Sequence, residues 1–236
     1  MAGRKMKISL SVIIMAFNEL DSIERVVREI ESVLTNLGCS EIVIIDDGST
    51  DGTGAVADRL AEEIPQVRVI HHETNRGLGE VYRTGFVQAR GEYVTFFPAD
   101  GQFPATIIEQ FLPLMEDADM VLGYLPKRKG SLLARGLSLM EKVLYRLLFG
   151  PLPRFQGVLM FRRALLDNVE LKSTGRGWAV LMEFIIRISR DGYRIVTVPT
   201  EVCPRLSGRS KVNNLRTIWA NLKQVIILRR CLSRER

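Results

Sequence analysis

Short apolar runs alternate with amphipathic stretches along the first hundred residues. The runs are rich in Val, Ile and Phe and end in polar turns, as strands buried on both faces of a sheet do. The stretches between them repeat apolar residues every three or four positions, which is typical of helices. We therefore predict strands at Ile8–Phe17, Ile42–Ile45, Val67–Glu73 and Tyr93–Phe97, and helices at Glu19–Leu37, Thr53–Ile64 and Leu78–Arg90. This order indicates an α/β fold with a mostly parallel sheet flanked by helices.

Beyond Pro104 the same kinds of pattern continue. We predict a helix at Ala105–Met115, a strand at Met120–Gly123, a strand pair across Gly157–Arg162, a helix at Val180–Ser189 and a strand at Arg194–Pro199. Two further stretches, Leu132–Phe149 and Leu215–Arg236, combine apolar helical spacing with many basic residues. We interpret residues 1–212 as one domain and residues 213–236 as a basic amphipathic C-terminal helix. No run reaches the roughly 18 apolar residues of a membrane-spanning helix, so we expect no membrane crossing.

Two acidic turns follow predicted strands. Asp46 and Asp47 come directly after the second strand, and Asp100 comes after the fourth. Ligands of open α/β sheets bind beyond the carboxyl ends of the strands, so both turns are expected at one binding edge. His71 and His72 are adjacent in a predicted strand and should point to opposite faces, which argues against a shared metal site.

The charge of the chain is divided. Up to Pro126 there are 10 Lys and Arg residues against 20 Asp and Glu residues, and from Lys127 onward there are 23 against 7. An acidic first half is suited to holding a cation, and a basic second half is suited to phosphates or an anionic surface. The alternative is that the basic residues only keep the surface soluble.

Six motifs in order carry a family resemblance. They are AFNE (Ala16–Glu19), IDDGSTDGT (Ile45–Thr53), NRGLGEVYRTGF (Asn75–Phe86), ADGQFP (Ala99–Pro104), FQGVLMFRR (Phe155–Arg163) and RLSGRSK (Arg205–Lys211). Together they resemble the inverting family 2 glycosyltransferases of the GT-A (Rossmann-like) fold. Within that family, the closer likeness is to dolichol-phosphate mannose synthases and bacterial polyprenyl-phosphate glycosyltransferases. The resemblance implies transfer of a sugar from a GDP- or UDP-linked donor to a polyprenyl or dolichyl phosphate.

The resemblance also implies the residues of the donor side. Asp100 and Gln102 are the expected ligands of Mg²⁺ or Mn²⁺, and their hard oxygens suit either ion. In an extended turn, positions two apart place both oxygens on one side. Asp47 is expected to accept a hydrogen bond from the nucleobase, and Asp46 either contacts the base or braces the turn. The full predicted nucleotide-sugar set is Ala16, Phe17, Glu19, Asp46, Asp47, Arg76, Gly77, Ala99 and Asp100.

Both parts of this donor site have simpler explanations. Asp100 could belong to a plain Asp-Gly turn with a solvated Gln102. Glu19 could be a helix N-terminal carboxylate favoured by the helix dipole. The glycines Gly48, Gly52 and Gly77 are expected to give backbone room or positive φ.

The acceptor side rests on cations. A lipid phosphate is already an anion near neutral pH, so it needs positioning and charge compensation more than a strong base. The expected acceptor-phosphate residues are Arg128, Arg205, Arg209, Ser210 and Lys211, and the expected catalytic residues are Asp100, Arg205 and Lys211. Arg162 and Arg163 are either phosphate contacts or surface cations. Glu183 aligns loosely with an acid of the family, whose role is structural or, for a hydroxyl acceptor, that of a base.

The chain departs from the family pattern at two positions. Pro98 stands where relatives usually carry the first acid of a D-x-D motif, and Arg154 stands where they often carry an acid before F-Q-G. Two other functions stay open, and the loss of the acid at Pro98 motivates the second of them. One is a family 2 glycosyltransferase acting on a soluble or glycan hydroxyl, and the other is a non-catalytic homologue that binds a nucleotide-sugar.

The two basic amphipathic stretches predict contact with a membrane surface. The last 32 residues hold nine Lys and Arg residues and one Glu, as interfacial helices do. The alternative is a helix packed on the domain, on a second copy of the chain or on a membrane partner subunit. No nucleic-acid-binding motif is present. Three scattered cysteines form no disulfide or metal pattern, which favours a reducing compartment. Together with the basic stretches, this predicts a peripheral protein on the cytoplasmic face of a membrane.

Overall fold

The computed structural model describes residues 10–35, 37–126, 146–173, 177–204, 227–230 and 232. These residues form one sheet with strand order β3-β2-β1-β4-β6-β5-β7. The strands are β1 (Leu10–Ala16), β2 (Ser40–Asp46), β3 (Val67–His71), β4 (Tyr93–Pro98), β5 (Met120–Tyr124), β6 (Leu159–Arg162) and β7 (Ile195–Pro199). Only β6 runs antiparallel to its neighbours within this sheet. The mostly parallel α/β prediction is confirmed.

Five α-helices cover the sheet within the same described ranges. They are α1 (Ile23–Leu34), α2 (Thr53–Glu63), α3 (Leu78–Gln88), α4 (Ile107–Phe111) and α5 (Ala179–Arg190). Two 3-10 segments lie at Leu112–Glu116 and Arg163–Asn168, and residues 146–149 and 227–230 are also helical.

The alternation of side chains along β1 creates two cores. Val12 and Ile14 face the layer of α1, α2 and α4, whereas Ile13 faces the layer of α3 and α5. All three side chains are fully buried. Full burial of such a side chain stabilises a fold by about 1.5–3 kcal/mol, which explains why apolar runs without polar interruptions became central strands.

Three predicted elements differ from the structure for local reasons. Helix α1 begins at Ile23 because Glu19 closes a turn: its carbonyl accepts hydrogen bonds from the N–H groups of Ser22 and Ile23. The predicted helix Ala105–Met115 changes to a 3-10 segment at Leu112, next to Pro113, which lacks an N–H group. The segment from Gly157 to Arg162 holds one strand, β6, whose partners are β4 and β5, and not a pair.

The predicted basic amphipathic stretches lie largely outside the described residues. At their described ends, Leu228 and Leu232 are buried together with Phe149 and with Ile186 of α5. This part of the C-terminal segment therefore packs on the domain, as one of the two interpretations anticipated. Among the helices that the structure describes, none combines the length and the apolar character needed to span a bilayer.

Candidate active site

The acidic turns meet at the carboxyl edge of the parallel strands. Ala16 at the end of β1 pairs with Asp46 of β2, and Met15 pairs with Pro98 of β4. Neighbouring strands lie about 4.8 Å apart, so the turns after β2 and β4 are separated by about 10 Å, with the turn after β1 between them. The N–H groups of Asp47 and Ala99 donate to the carbonyls of Ala16 and Met15, respectively, each at 2.9 Å.

Asp47 holds the loop that precedes α3. Its Oδ1 accepts the N–H of Arg76 at 2.9 Å, and its Oδ2 accepts the N–H of Gly77 at 2.8 Å. The same Oδ1 lies 2.7 Å from Nδ1 of His72, a buried side chain whose Nε2 lies 2.9 Å from the Thr84 hydroxyl. Asp47 therefore shapes the wall of the site through the backbone, while its expected contact with a nucleobase stays a prediction.

Asp46 braces its own turn, as one of its two predicted roles required. Its Oδ1 accepts the N–H of Ser49 at 3.1 Å, and its Oδ2 lies 3.0 Å from Nδ1 of His71. The other ring nitrogen of His71 lies 2.9 Å from Asp58. The hydrogen bond to Asp58 raises the pKa of His71 above its ordinary value, against partial burial, and the bond to Asp46 adds to the rise. His71 thus contacts Asp46 and Asp58 while His72 contacts Asp47, so the two adjacent histidines share no carboxylate.

Gly48 is required where the turns approach each other. Its φ is +71°, and a Cβ there would lie 2.5 Å from the carbonyl carbon of Thr74. Gly52 and Gly77 also have positive φ, as predicted.

Asn18 ties the turn after β1 to the turn after β2. It has a positive φ of 53°, its N–H donates to the Ser49 hydroxyl, and its side-chain oxygen accepts the N–H of Thr50. In the same loop, the Glu19 N–H donates to the Thr53 hydroxyl, and Glu19 Oε2 accepts a 3.3 Å hydrogen bond from Ser22. Sequence reasoning assigned no role to Asn18, although asparagine after a strand is a known signal for left-handed turns.

Asp51 completes this loop as a capping carboxylate. Burial alone would raise the pKa of Asp51, but hydrogen bonds from the hydroxyl and N–H of Thr53 and from the N–H of Leu20 outweigh it and lower the pKa.

The remaining residues predicted to contact the nucleotide-sugar lie at the same edge. Phe17 is half-buried, and Ala16 and Ala99 are buried. The exposed Arg76 side chain pairs with Glu80 at 3.0 Å.

The turn that follows β4 holds Asp100 and Gln102. Asp100 is buried, and its Oδ1 accepts the N–H of Gln102 at 3.0 Å. The turn is not extended as assumed, because Gly101 has a left-handed φ of +70°. The side-chain hydrogen bond closes the turn and fixes the Asp100 carboxylate beside the half-buried Gln102.

These two residues fit a hard divalent cation in their chemistry. They offer one carboxylate and one amide oxygen, which are ligands of the kind that Mg²⁺ and Mn²⁺ prefer. Among the residues that can be described, no group of three His, Cys, Asp or Glu side chains is placed to hold a metal. A metal at this turn would therefore need further oxygen ligands, which Mg²⁺ commonly takes from a bound ligand and from water.

The F-Q-G segment packs directly on this turn. Gly157 has a φ of +115°, and a Cβ there would lie 2.5 Å from the ring of Phe103. The N–H of Gln156 donates to the carbonyl of Gly123 at 2.7 Å, which anchors the segment to the end of β5.

The segment after β7 also reaches the turn. Pro199 pairs with Tyr124 at the ends of β7 and β5, and Thr200 N–H donates to the Tyr124 carbonyl. The N–H of Cys203 then donates to the carbonyl of Gln102 at 2.8 Å. Residues from three distant parts of the sequence therefore meet at the candidate metal turn.

Arginines near β6 lie at opposite ends of the strand. The exposed Arg154 lies before β6 at the carboxyl edge, with its guanidinium carbon 5.5 Å from the centre of the Tyr124 ring. Arg162 and Arg163 lie at the amino edge, where Arg162 contacts Tyr93 and Glu92 and donates to the Met115 carbonyl. Of the two open interpretations, the structure supports surface and structural cations for Arg162 and Arg163, away from the acidic turns.

The Glu183 carboxylate on α5 is fully buried, and both of its oxygens accept hydrogen bonds. Its Oε1 accepts the N–H of Lys172 and lies 2.8 Å from the Arg187 guanidinium, and its Oε2 accepts the N–H of Ser173 at 2.6 Å. The carboxylate fastens the 171–173 segment to α5, so the structural interpretation of Glu183 is the one that its contacts support.

Five predicted acceptor residues lie outside the described residues: Arg128, Arg205, Arg209, Ser210 and Lys211.

Comparison with known proteins finds a family model and relatives that match most of this chain. The family model of Glycosyl transferase family 2 matches residues 11–170. The chain is 30% identical over 214 residues to an undecaprenyl-phosphate mannosyltransferase from Micrococcus luteus, covering 85% of this chain and 86% of that one. It is 26% identical over 226 residues to a dolichol-phosphate mannosyltransferase from Pyrococcus furiosus, covering 92% of this chain but only 62% of the relative's length.

A solved structure shares the fold. It is glucosyl-3-phosphoglycerate synthase from Mycobacterium tuberculosis in complex with Mn²⁺, UDP and phosphoglyceric acid, with a TM-score of 0.67, 21% identity, and coverage of 92% of this chain and 78% of that one. The likeness supports the predicted GT-A architecture. Because the match to residues 11–170 spans more than half of this chain, the chain belongs to glycosyl transferase family 2.

Proposed function

We propose that this glycosyltransferase transfers a sugar, with inversion, from a nucleoside-diphosphate donor to the phosphate of a polyprenyl or dolichyl lipid. Mannose is the first sugar to test, because relatives from two organisms are named as lipid-phosphate mannosyltransferases. The donor nucleotide is GDP or UDP.

The observation that carries this proposal is the hydrogen bond between Cys203 and Gln102. It joins the candidate metal turn to the chain just before the basic segment Arg205–Lys211. Arg205 follows Cys203 by two positions in the sequence and lies outside the described residues. The chain therefore continues from a contact with the turn that we assign to the donor diphosphate into the basic segment that we assign to the acceptor phosphate.

The donor side works by preorganisation. Mg²⁺ or Mn²⁺, when bound at Asp100 and Gln102, neutralises the charge that develops on the departing diphosphate. The Gln102 N–H holds the Asp100 carboxylate in one orientation, so little reorganisation is needed during the reaction. The loops braced by Asp46 and Asp47 form the opposite wall, where we place the nucleoside.

The acceptor side fits a phosphate better than a hydroxyl. An oxygen of the acceptor phosphate attacks C1 of the sugar from the face opposite the diphosphate. A new C1–O bond forms while the C1–O bond to the diphosphate breaks, and the nucleoside diphosphate leaves with the electron pair. A phosphate anion loses no proton in this step, whereas a hydroxyl needs a base. Glu183, the acid considered for that role, is fully buried and hydrogen-bonded to the backbone and Arg187.

A lipid acceptor implies a membrane surface. The basic stretches, together with the exposed apolar side chains of Leu147 and Ile227, support peripheral attachment on the cytoplasmic face. The packing of Leu228 and Leu232 on α5 limits how much of the C-terminal segment can face lipid. The boundary at residue 213, a second copy of the chain and a membrane partner subunit stay predictions.

The test is transfer of radiolabelled sugar from GDP-mannose or UDP-glucose to undecaprenyl phosphate in detergent. We expect transfer that requires Mg²⁺ or Mn²⁺, and we expect it to be lost in Asp100→Asn. Asp117→Asn is the matched control, because Asp117 is an exposed acid just before β5, at the amino edge. Full activity of Asp100→Asn with the metal chelated would refute the proposal.

Pro98 supports a competing proposal, a nucleotide-sugar-binding homologue without activity. It ends β4 in the position where the family carries an acid, and it pairs with Met15. Robust turnover by the wild type excludes this function, whereas turnover that appears only in Pro98→Asp favours it.

A further inference from the structure

Main-chain hydrogen bonds hold the segment that follows Arg154 at the carboxyl edge of the sheet. Gln156 N–H donates to the Gly123 carbonyl, and Gly123 N–H donates to the Val158 carbonyl, so the chain just beyond Arg154 is paired with the end of β5. Gly157 in the same segment abuts Phe103, next to the metal turn. These contacts leave little freedom for the backbone that carries Arg154.

The aromatic ring below Arg154 holds its side chain. The guanidinium carbon lies 5.5 Å from the centre of the Tyr124 ring, within the range of a cation–π contact. Tyr124 is itself held at the edge, since its carbonyl accepts the N–H of Thr200 at 2.9 Å. The segment that begins at Thr200 then runs to Cys203, which contacts Gln102, so Arg154 and the turn of Asp100 and Gln102 lie at the same edge of the sheet.

The Arg154 guanidinium can bind an anionic ligand. The side chain is exposed, and within the described ranges its guanidinium forms no ion pair with a carboxylate. A guanidinium that stacks on a ring keeps the N–H groups in its own plane for other partners, and their fork matches the oxygens of a phosphate. By contrast, Arg162 also lies over a tyrosine ring, at 5.3 Å, but its N–H groups are used by Glu92 and main-chain carbonyls.

We propose that Arg154, stacked on Tyr124, is a specificity residue that contacts the phosphate group of the acceptor. The inference deepens the proposed function and rests on it for the phosphate nature of the acceptor. The position is one where relatives often carry an acid, so the contact would be particular to chains with a cation here. The ligand class is a phosphate monoester, on a lipid or on a small molecule.

The test compares binding of farnesyl phosphate, farnesol and 3-phosphoglycerate to the full chain by isothermal titration calorimetry. Arg154→Ala is expected to weaken binding of farnesyl phosphate about tenfold, the effect of one charge-assisted hydrogen bond at an exposed site. Binding of farnesol and GDP-mannose should not change, and Arg154→Lys and Tyr124→Leu should each lose less. The matched control is Arg163→Ala, which removes the same charge from the exposed amino edge of the sheet.

The possible results distinguish the role of Arg154 from the proposal that the acceptor is a lipid phosphate. If the wild type binds 3-phosphoglycerate and not farnesyl phosphate, and Arg154→Ala weakens that binding tenfold, the inference stands while the lipid part of the proposed function fails. If the wild type transfers sugar to a lipid phosphate and Arg154→Ala behaves like Arg163→Ala, the inference is wrong and the function stands. Failure of the wild type to bind any of the phosphates, or equal loss of farnesol and farnesyl phosphate in Arg154→Ala, also overturns it.

Discussion

Replacement of Glu183 by glutamine tests whether this acid is structural or catalytic. The carboxylate is 0% exposed, and it accepts hydrogen bonds from two backbone N–H groups and from Arg187. In Glu183→Gln an amide NH₂ replaces one oxygen, so a donor must face a donor, and the ion pair between Glu183 and Arg187 is lost. Removal of one partner of a buried ion pair costs about 3–5 kcal/mol. The Arg187 side chain is 15% exposed, so we expect the lower end, about 3 kcal/mol.

The assay is thermal and urea unfolding of the purified chain. For a domain of this size each kcal/mol shifts Tm by about 2–4 °C, so Glu183→Gln should lower Tm by about 6–12 °C. Glu170→Gln is the matched control, because Glu170 is 80% exposed and, in the part of the chain that the structure describes, its one ion pair is with the Lys172 ammonium at 3.4 Å. An exposed pair of this kind contributes about 0–1 kcal/mol, so its loss should be barely measurable.

Activity separates the two roles of Glu183. A structural carboxylate predicts that Glu183→Gln keeps most of its kcat at temperatures where the variant is folded. A general base predicts a loss of about 100- to 10 000-fold in kcat. An unchanged Tm combined with such a loss would refute the structural assignment and would restore a hydroxyl acceptor as the leading function.

Two further predictions concern His71, which lies between Asp46 and Asp58, and Gly157, which packs against Phe103. Because the folded-state pKa of His71 is raised above its ordinary 6.5, its ion pairs stabilise the fold fully below that pH, and the contribution is lost as pH rises through the folded pKa. The Tm difference between wild type and His71→Gln should therefore be larger near pH 5.5 than near pH 8.5, and a difference independent of pH contradicts this. Gly157→Ala and Gly150→Ala should both lose about 1–2 kcal/mol from left-handed strain. Only Gly157→Ala should also reduce sugar transfer, since a Cβ there meets Phe103 while Gly150 has open space; equal transfer by both variants counts against the role of this packing.

Much of the fold could be predicted because helices and strands each impose their own spacing of apolar residues along the sequence. The alternation of buried runs and amphipathic stretches located β1 to β5 and β7 and the helices α1, α2, α3 and α5 within a few residues. Errors arose where a single residue changed the local backbone, as at Glu19 and Pro113. The segment of β6 was misjudged because a single antiparallel strand takes both partners from distant strands, and no local pattern names them.

The candidate site shows a similar division. Motif positions identified Asp46, Asp47 and Asp100 as residues of one edge, since the carboxyl ends of parallel strands must coincide. Their individual tasks were not predictable, because the partners of Asp47 include His72 and Gly77, and the bond between Gln102 and Cys203 crosses a hundred residues of sequence.

By itself the sequence determined the α/β class, the order of the elements and the edge at which the acidic turns lie. These follow from side-chain periodicity and from the common direction of parallel strands, which are properties of short segments. Only the tertiary structure decided that Arg162 lies at the edge opposite Arg154, that Glu183 is buried and that the 200–203 segment meets the turn of Asp100 and Gln102. Those outcomes depend on the order of strands in the sheet and on contacts between loops, and neither of these produces a periodic pattern of residues in the sequence.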